Sequence, residues 1–172
     1  DGGDNPLDRF SRRVIDGLAE ALGGKALYPF GGPPLPFQQW ARRAEPVHFS
    51  PIGMLVHPVY GLWHSYRGAI GLSEALDVEE VVTAASPCET CREKPCLAAC
   101  PVGAFTIAGY DVPACAAHLR AAAGADCMDR GCRARRACPV GREFAHQPDQ
   151  ASFAMRAFLR AIDASVSPGC SP

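Results

Sequence analysis

The chain has no run of the roughly eighteen apolar residues that a membrane-spanning helix needs, so none is expected. It also lacks a surplus of charge. Seventeen basic side chains against eighteen acidic ones leave a net charge of -1, which argues against general attraction to nucleic acid or to an anionic membrane. No G-x-G-x-x-G, Walker loop or nucleophile elbow is present, and Gly31-Gly32-Pro33-Pro34-Leu35-Pro36 reads as a rigid loop without phosphate-loop spacing. The opening Asp1-Gly2-Gly3-Asp4-Asn5-Pro6 is acidic and has no apolar core of an export signal. Together with free thiols, this predicts a cytoplasmic protein.

What the chain does have is concentrated cysteine. Eight of the nine cysteines lie between Cys88 and Cys138, and Cys100 and Cys138 each stand immediately before proline. The first half reads Cys88-x2-Cys91-x4-Cys96-x3-Cys100-Pro101, and the second supplies Cys115, Cys127, Cys132 and Cys138-Pro139. Cluster iron binds soft, anionic sulfur, and closely spaced cysteines let one loop wrap several corners of a cube. Eight thiolates suffice for two 4Fe-4S clusters, while the long gaps also leave room for a three-iron cluster or an incomplete site. Structural zinc prefers two C-x2-C knuckles, and only Cys88 and Cys91 form one. A disulfide framework mainly staples chains too short for a core, whereas 172 residues with 48% hydrophobic content can bury one unaided. Cys170, in the tail, is expected to be a free thiol.

The stretch Lys94-Pro95-Cys96-Leu97-Ala98-Ala99-Cys100-Pro101-Val102-Gly103-Ala104-Phe105, followed by Cys115 and by Cys138-Pro139, resembles the two-4Fe-4S ferredoxin module. It is most similar to the version in epoxyqueuosine reductase and the reductive dehalogenases, where a cysteine also stands alone on a helix between the motifs. In bacterial two-cluster ferredoxins the run C-x2-C-x2-C-x3-C-P gives three ligands to one cluster and its last cysteine to the other. Applied to this chain, the resemblance implies that Cys88, Cys91, Cys96 and Cys138 hold the first cluster, and that Cys100, Cys115, Cys127 and Cys132 hold the second. The proline after each crossing cysteine would turn the chain away from the set it has just left.

Upstream, Ser50-Pro51-Ile52-Gly53-Met54-Leu55-Val56-His57-Pro58 and Tyr60-Gly61-Leu62-Trp63 resemble segments that precede the clusters in those cobalamin enzymes. Their cobalamin domain is considerably longer than the stretch ahead of the cysteines here. The resemblance therefore implies an electron-transfer protein that passes single electrons to a partner enzyme, rather than a stand-alone enzyme. The alternative is a reductase related to the cobalamin-dependent enzymes, with residues 25–72 binding a corrinoid or another organic cofactor. A zinc-stabilised interaction module is the third class.

Five arginines, Arg130, Arg133, Arg135, Arg136 and Arg142, fall in a stretch with no acid between Arg130 and Arg142. Beside anionic clusters they predict charge compensation and docking of an acidic redox partner rather than an RNA footprint. His48, His57 and His64 lie close in sequence to Trp40, Tyr60, Trp63 and Tyr66, and are read as structural or surface histidines beside core aromatics.

The expected fold class is α+β and helix-rich, with an N-terminal α+β layer that includes a small sheet (1–85), a two-cluster ferredoxin-like module (86–142) and a C-terminal helix and tail (143–172), all in one compact unit. A first helix should run from Asn5-Pro6 to Gly23-Gly24 and bury Leu7, Phe10, Val14, Leu18 and Leu22. Strands are expected over Lys25–Phe30, Ile52–His57 and Gly61–Leu72. Further helices are expected over Ser73–Ala85, over Asp111–Ala122 carrying Cys115, and over Pro148–Ala164 with Phe153, Ala157, Phe158 and Ala161 inward.

Overall fold

A computed structural model describes residues 5–78, 84–106 and 108–166. They are helix-rich with short two-stranded sheets, an α+β arrangement. The chain forms two compact units, Asp1–Pro46 with Ser65–Thr83, and Val47–His64 with Ala84–Pro172. The division does not follow a single cut near residue 85, because Val47–His64 belongs with the cysteines. Cys170 lies outside the described residues.

In the first unit, α1 (Pro6–Ala21) begins with proline at its first turn, where the missing N–H costs nothing. Asn5 caps it through its backbone carbonyl, which accepts from Asp8 and Arg9, and not through its side chain. The helix stops where Gly23 turns left-handed (φ 62°), with Gly24 N–H donating to Ala19 O and Gly23 N–H to Glu20 O, a Schellman closure. Its expected apolar stripe is not buried: Leu7, Phe10, Val14, Leu18 and Leu22 are all exposed. The inward face carries the smaller Ser11 and Ala19, with Ile15 meeting Gly68. Small side chains there admit the close approach of β1 (Lys25–Leu27) and β4 (Ala69–Gly71), which pair antiparallel with Ala26 opposite Ile70. Arg67 ties the same face through Asp8 and the Ser11 hydroxyl.

The strands are shorter than expected, since among the described residues no neighbour continues either ladder beyond these three-residue pairs. A helix at Phe37–Ala44 (α2), entered from Pro36, had no expectation attached to it. The helix expected over Ser73–Ala85 is corrected in part: residues 73–78 and 84–85 are irregular, and 79–83 lie outside the described residues. Leu76 and Val78 are well exposed, so the amphipathic pattern there finds no surface to make a short helix stable.

In the second unit, β2 (His48–Phe49) and β3 (Leu55–Val56) form a hairpin, so much of the strand expected from Ile52 is its turn, closed by Ser50 N–H to Met54 O at 2.8 Å. Short helices α3 (Pro87–Thr90) and α4 (Pro95–Ala98) follow, then the β5 (Phe105–Thr106) and β6 (Gly109–Tyr110) hairpin. The unit continues with α5 (Val112–Arg120), α6 (Ala125–Arg130), α7 (Arg133–Arg136) and α8 (Pro148–Val166). Asp111 caps α5 by accepting from Ala114 N–H at 2.9 Å.

The core of this unit is Ile52, Val56, Leu62 and Ala134 together with the thiols of Cys96 and Cys138. Residues α8 turns inward include Ala151 and Met155 with Phe158, while Ala161 of the expected stripe is exposed. Gly131, at the end of α6, admits the close approach of Ala151, since a Cβ built on it would lie 3.0 Å from the Ala151 Cβ. Among the described residues no helix is long and apolar enough to cross a membrane.

Candidate metal centre

Each cysteine between residues 88 and 138 is a free thiol. Cys88 lies on α3, Cys91 ends it, Cys96 lies on α4, Cys115 on α5 and Cys127 on α6, while Cys132 leads into α7. Cys100 and Cys138 sit in the turns that leave α4 and α7, each before its proline. Because α4 packs on α7, the two turns can exchange sides. One cavity, of about 280 Å³, is lined by Cys88, Cys91, Cys96 and Cys138. A second, tighter void of about 20 Å³ is lined by Cys100, Cys115, Cys127 and Cys132.

The electrostatics group the thiols in the same way. Burial pushes the Cys88 and Cys96 thiols up, and the neighbouring sulfurs that add to this are Cys138 and Cys91, plus Cys88 itself for Cys96. Burial likewise raises Cys115, with Cys100 and Cys127 contributing, and raises Cys132, with Cys127 and Cys115 contributing. A buried thiolate is costly without a cation or hydrogen bonds.

The chain supplies some of those hydrogen bonds. Ala104 N–H donates to Cys100 Sγ at 3.3 Å, the Arg135 and Ala134 amides draw Cys132 back down, and the Tyr110 hydroxyl does so for Cys115. Ser86 caps α3 and acts on Cys88 in the same sense. Lys94, held left-handed at φ 41° before Pro95, donates its ammonium to the carbonyls of Cys88 (2.8 Å) and Cys91 (3.3 Å). It thereby staples the first cysteine loop.

Among the described residues no three His, Cys, Asp or Glu side chains converge on a point that would hold a single metal ion. The thiols surround volumes instead. The chain matches no protein-family model, no curated protein and no solved structure.

The arginine stretch is largely spoken for. Arg130, Arg133 and Arg136 converge on Asp126, an acid just ahead of the stretch, and Arg142 donates to Cys138 O. Arg135 turns inward, donates to Leu62 O from two nitrogens and lies over the Trp63 ring at 4.7 Å. The histidines bond to backbone: His48 to Ala84 O (2.7 Å), His64 to Gly61 O (3.2 Å), while His57 Nδ1 accepts from Val59 and Tyr60. Trp40 and Tyr66 belong to the first unit and Tyr60 and Trp63 to the second, and residues 25–72 are likewise divided between the units.

Sequence reasoning missed a third cavity in the second unit, of about 520 Å³. Trp63, Phe105, Tyr110, Phe158 and His146 line it, and it reaches Cys115 and Cys132. No spacing announces it, because its walls come from widely separated segments.

Proposed function

We propose that this chain holds two 4Fe-4S clusters, the first on Cys88, Cys91, Cys96 and Cys138 and the second on Cys100, Cys115, Cys127 and Cys132, and passes single electrons to a partner protein in a reducing compartment. One observation carries the reading: two cavities are each lined by four free thiols, with Cys100 and Cys138 contributed crosswise. At the first set, thiols around about 280 Å³ suit a cube of iron and sulfide better than the tetrahedron of one zinc ion; the second set, around about 20 Å³, supports the reading by its matching count of four thiols. A bound cluster supplies reversible one-electron chemistry at a potential set by charge, burial and hydrogen bonds to sulfur.

The protein's own part is positioning. Lys94 fixes the first loop through two carbonyls, the amides at Ala104, Ala134 and Arg135 face sulfur, and the half-buried Arg135 sets a positive charge near Cys132. Each of these favours the anionic ligand and raises the potential relative to an apolar surround. Arg130 and Arg133, the more exposed members of the Asp126 group, are the residues an acidic partner would meet.

Anaerobic purification with iron, sulfide and zinc quantification tests the reading. About eight iron and eight sulfide per chain are expected, and stoichiometric zinc without sulfide would refute it.

A further inference from the structure

The cavity beside Cys115 and Cys132 combines features that the metal reading leaves unused. Its walls are mostly apolar and aromatic, with Phe105 stacked on Tyr110 at 4.8 Å and Phe158 next to Tyr110. At about 520 Å³ it falls in the range of small-molecule sites, roughly 300–1,000 Å³. Arg135 lines it, and among the described residues no carboxylate pairs with that guanidinium.

Two of the guanidinium's nitrogens reach the neutral carbonyl of Leu62, so a group with five N–H donors keeps capacity for another acceptor. In the same walls Trp63 Nε1 and His146 Nδ1 are buried without partners, and the two rings meet edge-on at 5.4 Å. Buried polar atoms without partners are rare and point to an absent polar neighbour.

We propose that this cavity binds a small aromatic carboxylate, its ring against Phe105, Tyr110 and Phe158 and its carboxylate on Arg135. The aromatic walls favour a flat π partner, and a guanidinium in an apolar setting recognises a carboxylate through charge-assisted, bidentate hydrogen bonds. The proposal needs no iron, so its failure and that of the metal reading are separable by measuring iron on the same sample.

The test is calorimetric titration of the full-length, anaerobically prepared protein with 2-naphthoate and with its neutral isostere 2-naphthamide. Binding of one naphthoate per chain is expected, at least tenfold tighter than the amide. Arg135→Gln should abolish that preference. Because Arg135 also braces Leu62, Ala154→Trp provides a second variant: Ala154 is exposed yet lines the cavity, and the indole should fill it and remove binding of both probes without touching Arg135. Equal affinity for the two probes, or naphthoate binding undiminished in Ala154→Trp, would overturn the proposal, as would no binding at all.

Discussion

Replacing the buried Gly61 by alanine should damage this protein more than its place in a short turn suggests. Gly61 has φ +56°, and a Cβ built on it would lie 2.0 Å from Val140 O and 2.7 Å from Val140 C, both backbone atoms. Gly141 makes the reciprocal approach, its Cβ position being 2.5 Å from Tyr60 C. The two glycines let the turn closed between His57 and Gly61 press against the chain just after Cys138-Pro139, next to Leu62 in the core. A left-handed alanine costs about 1–2 kcal/mol. Forcing a methyl against backbone that cannot rotate away costs about 1–3 kcal/mol more.

The expected loss of about 2–5 kcal/mol is a large part of the 5–15 kcal/mol that typically holds a domain together. Gly53 provides the control, with φ +76° and nothing within 4 Å of its Cβ position, so Gly53→Ala should show the backbone cost alone. Denaturant midpoints of both variants, with iron retained per chain as a second readout, separate the two contributions. If Gly61→Ala lies within about 0.5 kcal/mol of Gly53→Ala, the close approach has no energetic weight and the argument fails.

Cys100→Ala should remove the same cluster signal as Cys115→Ala, and Cys138→Ala the one lost in Cys88→Ala, each variant keeping about four iron; low-temperature electron paramagnetic resonance of the reduced variants decides, and a pairing of Cys100 with Cys88 would refute the crossing. Burial raises the thiols of Cys88, Cys96, Cys115 and Cys132, so loading must displace protons and should be less complete at pH 6 than at pH 8.5 in a reconstitution monitored by visible absorption. For the metal-free chain the sign is fixed by the same shifts. A raised folded pKa stabilises below the unfolded thiol value of about 8.5 and loses that contribution as pH rises through the folded values, so its thermal midpoint should fall above pH 9. Asp126→Asn leaves Arg130, Arg133 and Arg136 without their shared acid; since all are partly exposed, a loss of about 1 kcal/mol or less is expected, shrinking in high salt.

Sequence by itself determined the local features. The thiol chemistry follows from residue type, and helix ends follow from Pro6, Gly23 and the Asp111 cap because these act on the few backbone groups next to them. The span of α8 was legible from its periodicity, and Phe153, Ala157 and Phe158 are half-buried as expected, but the buried Ala151 against Gly131 and the exposed Ala161 were not legible. The same limit applies to α1. Its apolar stripe satisfied every rule for a buried face, yet Ser11 and Ala19 are covered because small residues let the β1 and β4 pair come close.

Residue type and spacing leave the grouping of the thiols open; the resemblance implied crossed sets, and the tertiary structure decides which thiols line a common cavity. Eight cysteines can be divided into fours in many ways, and the packing of α4 on α7 selects one of them. It also decided that Asp126 reaches three arginines, that Arg135 faces inward instead, and that Trp63 and His146 meet across 83 positions of chain to wall a cavity. Those pairings depend on contacts between segments far apart in sequence, and no local preference of either partner encodes the distance between them.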